Sequence, residues 1–341
     1  MPLAYSAAQG AFLPALAIRH PQGLSPEDVL PDFRLRAEPF GAAAPLDGRS
    51  VELDLRRVEV SRGIDIGPFV YPLLKRRFTG PRPGLSFDLA GIRFRPMTGS
   101  TLWLADSVAE DSFYFKSLLQ ALLTHAAAIG GSAAMHSGLI EWRGRGYLLI
   151  GNSRSGKSSL CMFSLLCGAR LVSDDVVMLA RDGQRFAGRG FRAYSLLRPS
   201  TYEALPGSLQ RLTTTVTAEE GTKHLLRLER LGERVLERCT IDAIVLPTVG
   251  TVADDVNGTG YVLATVSKSV TIARLMQCLD NRALLPGLVA ERAAVSELIV
   301  ALVRALPCLE VRTSPRFLTE PARCTTHLLD AMSRQLSPTR K

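Results

Sequence analysis

Tyr147-Leu148-Leu149-Ile150-Gly151-Asn152-Ser153-Arg154-Ser155-Gly156-Lys157-Ser158 reads as an apolar strand running into a G-x-x-x-x-G-K-[ST] phosphate loop. The spacing follows from the chemistry. Glycines at 151 and 156 let the backbone curl so that successive N–H groups converge on a phosphate, and the positive end of the following helix adds to the attraction. Lys157 is expected to reach the β and γ oxygens of a nucleoside triphosphate, and the Ser158 hydroxyl to ligate Mg²⁺. The run Gly151, Asn152, Ser153, Arg154, Ser155, Gly156, Lys157, Ser158 and Ser159 is therefore the predicted cofactor-binding segment, with ATP and Mg²⁺ as the cofactors. A helix from Lys157 to about Cys167, closed by Gly168, completes the strand–loop–helix context. Cys161 and Cys167 share that helix and are read as core residues.

Immediately upstream, Ser137–Trp142 and Gly146–Ile150 are predicted strands joined by Arg143-Gly144-Arg145, and His136 stands just before the first of them. Downstream, Leu171 to Leu179 reads as a strand interrupted by two adjacent acids, Asp174 and Asp175. Two carboxylates in an apolar strand are costly unless a cation or hydrogen-bond donors receive them. A phosphate loop needs an acidic group for its metal, and a phosphoryl-transfer site needs a group to position the attacking hydroxyl, so this pair is the candidate for both jobs. Adjacent strand residues point to opposite faces, so both can act only if the strand ends or bends there. Arg189, Arg192 and Lys223 are candidate phosphate contacts, since a cation would offset the charge that builds on the transferred group. Ile241–Leu246 is a further strand, and residues 269–279, 288–305 and 321–335 read as helices.

The first hundred residues have another texture, with recurrent Pro and Gly and an alternating Val51–Val60 strand. Short strands are predicted at Leu85–Leu89 and Ile92–Pro96, an exposed basic turn within Phe69–Phe78, and a helix from Asp111 to Gly130-Gly131. Residues 1–107 are accordingly expected to form a small accessory α+β domain, and 108–341 an α/β nucleotide-binding domain.

With 341 residues the chain is long enough for a full core and two domains. The longest apolar candidate, Leu298 to Leu306, is broken by Arg304 and falls short of the roughly 20 residues that span a bilayer, so no membrane association is expected. The apolar start, Met1 to Ile18, has no basic residue before Arg19 and makes a poor secretory signal. Six cysteines without a Cys-x-x-Cys pair fit reduced thiols in a cytoplasm and argue against a disulfide scaffold or structural zinc. The net charge of +9 comes from scattered basic residues without an RNA-binding aromatic signature, so no nucleic-acid partner is expected.

The order Met135-His136, strand–turn–strand, Gly151-x-x-x-x-Gly156-Lys157-Ser158, then Gly168-Ala-Arg-Leu-Val-Ser-Asp174-Asp175 resembles HPr kinase/phosphorylase and its shorter relatives. The match runs from about Ser132 to Leu179 and more weakly to Leu246. It implies a P-loop kinase core, a central mixed sheet flanked by helices, in which His136 lies near the transferred phosphate. The resemblance assigns the metal and the hydroxyl-activating jobs to Asp174 and Asp175, and it places Lys223 where relatives carry a basic residue; within the pair, Asp175 is read as the base and Asp174 as on the metal or in support of the base. Two departures stand out. Arg154 occupies a loop position where the family is richer in glycine, and Gly188-Arg189-Gly190-Phe191-Arg192 lacks the glutamate of the family's Glu-x-Arg-Gly segment. The layout is closer to HPr-kinase-like proteins of peptide natural-product pathways, some of which phosphorylate a serine on a precursor peptide. The expectation is an ATP- and Mg²⁺-dependent kinase acting on a serine of a peptide or small protein, compatible with a homo-oligomer. The alternatives are a nucleotide-dependent switch with slow hydrolysis and a small-molecule kinase.

Overall fold

The computed structural model describes residues 131–218, 221–251, 258–279 and 289–336, with Ala127 and the stretches 3–5, 16–19, 38–39, 51–58 and 100–105. Its contacts divide the chain into two units, Met1–Ala134 with Asp280–Val295, and Met135–Leu279 with Ser296–Lys341.

In the first unit, β1 (Leu3–Tyr5), β2 (Leu16–Arg19), β3 (Glu38–Pro39), β4 (Val51–Val58) and β5 (Ser100–Ala105) form a sheet of order β3-β1-β2-β4-β5. The alternating Val51–Val60 run thus becomes β4, parallel to both of its neighbours. The predicted strands at Leu85–Leu89 and Ile92–Pro96, the Phe69–Phe78 turn and the helix from Asp111 lie outside the described residues.

The second unit is built on a nine-stranded mixed sheet, an α/β arrangement with helices packed against the sheet. Its strands are β6 (Ala133–Trp142), β7 (Arg145–Ile150), β8 (Arg170–Ser173), β9 (Val176–Asp182), β10 (Arg185–Gly190), β14 (Arg238–Thr240), β15 (Ala243–Val249), β16 (Tyr261–Thr265) and β17 (Cys308–Thr313). The order is β14-β10-β9-β6-β7-β15-β17-β16, with β8 also paired to β6. Strand β7 delivers the phosphate loop, and β15 and β17 run parallel on its one side, while β6 is antiparallel on the other. β7 is apolar throughout its inner length and fully buried from Tyr147 to Ile150, as a strand covered on both faces requires. Pro247 is tolerated inside β15 because the β7 pairing has already ended at Val245.

Helix α1 (Lys157–Leu166) follows the loop and packs on this sheet through Leu160, Cys161 and Phe163. The fit depends on Gly138 of β6, where a Cβ would stand 2.6 Å from Cys161 Sγ. Cys161 is buried as a core residue, whereas Cys167 is the C-cap of the helix and only half-buried. A smaller antiparallel sheet of β11 (Tyr194–Leu197), β12 (Thr213–Ala218) and β13 (Gly221–Arg227) stands beside α1, in the order β11-β13-β12. Short helices α2 (Pro199–Glu203) and α3 (Gly207–Gln210) connect β11 to β12. Toward the C-terminus come α4 (Lys268–Cys278), α5 (Val289–Ala305), α6 (Arg316–Thr319) and α7 (Pro321–Leu336), the last packed along α1.

Two differences from the sequence reading concern the site. First, β6 begins at Ala133, so His136 lies within the strand and not ahead of it. The small buried residues Ala133 and Ala134 and a bridge from Met135 to Leu279 extend the pairing backwards. Second, the Leu171–Leu179 run is two strands, and Asp174-Asp175 is the bend between β8 and β9. No helix among the described residues is long and apolar enough to cross a membrane.

Candidate active site

The bend is where the sequence's conflict between apolar strand and adjacent acids is resolved. Ser173 Oγ donates to the Val176 carbonyl at 2.8 Å and closes the turn, and Ser137 N–H donates to the Asp175 carbonyl at 2.9 Å, tying the bend to β6 beside His136. The two carboxylates therefore leave a broken ladder and have different surroundings.

Asp174 is buried, and its Oδ1 has no hydrogen-bond partner. Burial pushes its carboxyl up to about 6, against the opposing pull of the Ser158 and Ser195 hydroxyls and the Lys157 ammonium. Asp175 goes the other way. His136 Nδ1 lies 3.0 Å from its Oδ1 and Arg192 Nε 3.5 Å from its Oδ2. The histidine hydrogen bond and the arginine charge outweigh burial and hold the carboxyl down at about 2. Arg192 is itself fixed, donating to Tyr194 Oη at 2.7 Å and lying over the Tyr194 ring. Neighbouring acids with opposite shifts are what a division of labour between them requires.

The loop faces them across a cavity of about 440 Å³, lined by Ser153 through Ser159, His136, Asp174 and Asp175. Gly156, the residue before α1, has φ +92°, a left-handed conformation that glycine adopts without penalty. Gly151 is needed for space, since a Cβ there would stand 2.5 Å from Ser155 Oγ. Arg154 adopts φ +67°, the left-handed geometry that glycine supplies in glycine-richer loops, at a cost of about 1 kcal/mol. Its side chain then lines the cavity as an added cation. Lys157 Nζ donates to the carbonyls of Gly151 at 2.7 Å and Asn152 at 3.1 Å, and burial lowers its pKa against the pull of Cys278, Asp174 and Asp175. The start of α1 has no side-chain cap, so its first N–H groups are directed at the loop, the usual seat of a phosphate. Ser159 is occupied otherwise, its hydroxyl 2.7 Å from Thr201 Oγ1 of α2.

The three candidate phosphate cations separate. Lys223 of β13 lines the cavity. Arg189 does not: β10 is enclosed between β9 and β14, and the arginine is buried with its guanidinium 2.7 Å from Glu237. Arg192 does not line it either, and acts on Asp175 instead. Arg198, Tyr194 and Thr201 are lining residues that sequence reasoning missed, together with Val249 and the Thr313–Leu318 segment. The dipeptide Arg198-Pro199 carried a usable signal, a proline at the first position of a short helix placing a cation beside its start.

The chain is similar to the HPr(Ser) kinase/phosphatase from Coxiella burnetii, with 12% sequence identity over 60% of this chain and 99% of that one, at a TM-score of 0.31. No protein-family model and no curated protein matches the chain. At that identity and score the similarity carries no argument, and the site stands on its own geometry.

Mg²⁺ fits the residues present. Among the described residues there is no group of three His, Cys, Asp or Glu side chains that would cage a metal. A triphosphate-bound Mg²⁺ does not need one, because it takes one or two side chains and completes its octahedron with phosphate oxygens and water. Ser158 and the unpartnered Asp174 Oδ1 are suited to that role. Asp174→Asn is expected to weaken Mg²⁺-dependent ATP binding at least about tenfold. The melting temperature of the protein without ligand should change little, because the amide keeps the size of the carboxyl and removes the charge that burial disfavours. Calorimetric titration with and without Mg²⁺, beside a thermal melt, checks both.

Proposed function

We propose that the protein is an ATP- and Mg²⁺-dependent kinase that transfers the γ-phosphoryl group to a hydroxyl, that of a serine of a peptide or small protein. The observation that carries this reading is the placement of two unlike carboxylates at the mouth of one phosphate loop. One is buried with an oxygen unpartnered beside Ser158, and the other is held ionised by His136 and Arg192.

In this mechanism the loop amides and Lys157 bind the β- and γ-phosphates, with Lys223 and Arg154 available to the equatorial oxygens. Ser158 and Asp174 would hold Mg²⁺, which would supply charge compensation for the transferred phosphoryl group. Asp175 accepts a hydrogen bond from the acceptor hydroxyl and orients it in line with the β–γ bridging oxygen. The acceptor oxygen forms the new bond to phosphorus, the bridging P–O bond breaks, and ADP departs. The acceptor's proton passes to the Asp175–His136 pair. A carboxylate with so low a pKa is a weak base, which suits a loose transition state in which the hydroxyl is deprotonated late. Alignment and charge compensation supply the rate gain, and no covalent enzyme intermediate is needed.

The serine acceptor is supported by the sequence resemblance around Met135-His136, the loop and the acid pair. Intact-mass analysis of serine-containing candidate peptides incubated with the protein, Mg²⁺ and ATP tests it. A phosphate-sized mass gain that disappears in Lys157→Ala is the expected result. ATP bound or slowly hydrolysed with no mass gain on any peptide would overturn the peptide-kinase reading.

A further inference from the structure

A phosphate loop fixes phosphates but says nothing about the base, and the far end of the cavity offers a seat for one. We propose that the heterocyclic base of the donor nucleotide lies on an apolar shelf formed by Val249, Pro315 and Leu318, on the flank of the loop opposite Asp174 and Asp175. The proposal rests on the nucleotide-binding reading above and places the part of the donor that reading left unassigned.

Topology comes first. β15 and β17 run parallel to β7 on the side away from β6, the strand to which the acidic bend is tied. Ligands of parallel α/β sheets bind beyond the carboxyl ends of the strands. Those ends carry Val249 and Thr313 here, and α6 starts directly after the second. The shelf also begins at the loop itself: a Cβ on Gly156 would stand 3.5 Å from Val249 Cγ2.

Chemistry comes second. Val249 is 63% exposed and Leu318 41%, large apolar side chains left in solvent although both line the cavity. Exposed apolar surface concentrated in a concave site marks a surface that a ligand covers. Pro315 and Leu318 are three apart on one helical turn, joined by the Leu318 N–H to Pro315 carbonyl bond at 2.9 Å, and so present the same face. The charged residue of that turn is directed elsewhere, with Arg316 donating to the Gly258 carbonyl at 2.7 Å and to Glu320 Oε1 at 2.8 Å. The turn is anchored at its start by the Ser314 N–H to Gly260 carbonyl bond of 2.8 Å, so the shelf is a fixed surface. A flat, apolar-faced heterocycle matches it better than the acceptor does, because the groups suited to the acceptor, His136 and Asp175, occupy the other flank.

Calorimetric titration of ATP and of inorganic tripolyphosphate, both with Mg²⁺, tests the assignment in the wild type, Leu318→Asn and Val249→Ser, neutral polar replacements that add no charge beside the phosphate loop. The wild type is expected to bind ATP more tightly than tripolyphosphate. Each variant should lose about tenfold in ATP affinity and less than about twofold in tripolyphosphate affinity, since only the base loses its apolar cover. Leu318→Met should keep wild-type ATP affinity. Unchanged ATP affinity in both polar variants overturns the proposal, and so does a parallel loss of both ligands. A wild-type protein that binds neither ligand brings down the nucleotide reading itself and this proposal with it.

Discussion

Lys157→Ala is expected to abolish ATP turnover and to lower ATP affinity by about 10²-fold or more, because one buried ammonium is asked to neutralise the β and γ oxygens together. The structure makes the loss specific. Nζ reaches into the loop, at 2.7 Å from the Gly151 carbonyl and 3.1 Å from that of Asn152, and the side chain is buried next to Asp174 and Cys278. Lys157→Arg should not rescue activity, since a planar guanidinium is bulkier than an ammonium and the space is closed by backbone carbonyls. Retained ATP hydrolysis in Lys157→Ala, measured by released phosphate, would show that the loop does not hold the triphosphate.

Asp175→Asn separates binding from transfer. The ATP dissociation constant should stay within about twofold of wild type, while kcat for the phosphorylated product falls by about 10² to 10⁴, the range for removing a group that positions and accepts a proton. The substitution keeps the shape of the side chain but removes the negative charge that Arg192 and His136 hold between them. A transfer rate equal to wild type would move the role to another group. Paired measurement of ATP affinity and single-turnover product formation distinguishes this from general damage to the site.

The legible part of the site was local in the chain. The loop could be read because phosphate geometry dictates four positions within eight consecutive residues, and the acid pair because two carboxylates amid Leu171, Val172, Val176 and Val177 contradict the strand around them. The bend was the stated condition for both acids to act, and it is there. What could not be read comes from distant segments brought together by sheet order: Val249 and Leu318 reach the loop only because β15 and β17 are its parallel neighbours. Arg189 and Arg192 looked alike in sequence. Their difference is one of strand position, one arginine enclosed between β9 and β14 and the other beyond the end of β10, free to meet Asp175. The beginning of β6 was missed because Ala133 and Ala134 have little strand propensity, and tertiary pairing overrode it.

The bend that carries Asp174 and Asp175 also restricts how this protein could change its trade over evolutionary time or at a designer's bench. Consecutive residues share a peptide plane, so any shift of the β8–β9 turn that re-aims one carboxylate drags the other with it. New acceptors would therefore be reached by remodelling the cavity wall that Leu196 of the small sheet and Arg198 at the start of α2 supply, since these belong to other elements than that turn. Substrate range would be free to drift while the chemistry stays locked.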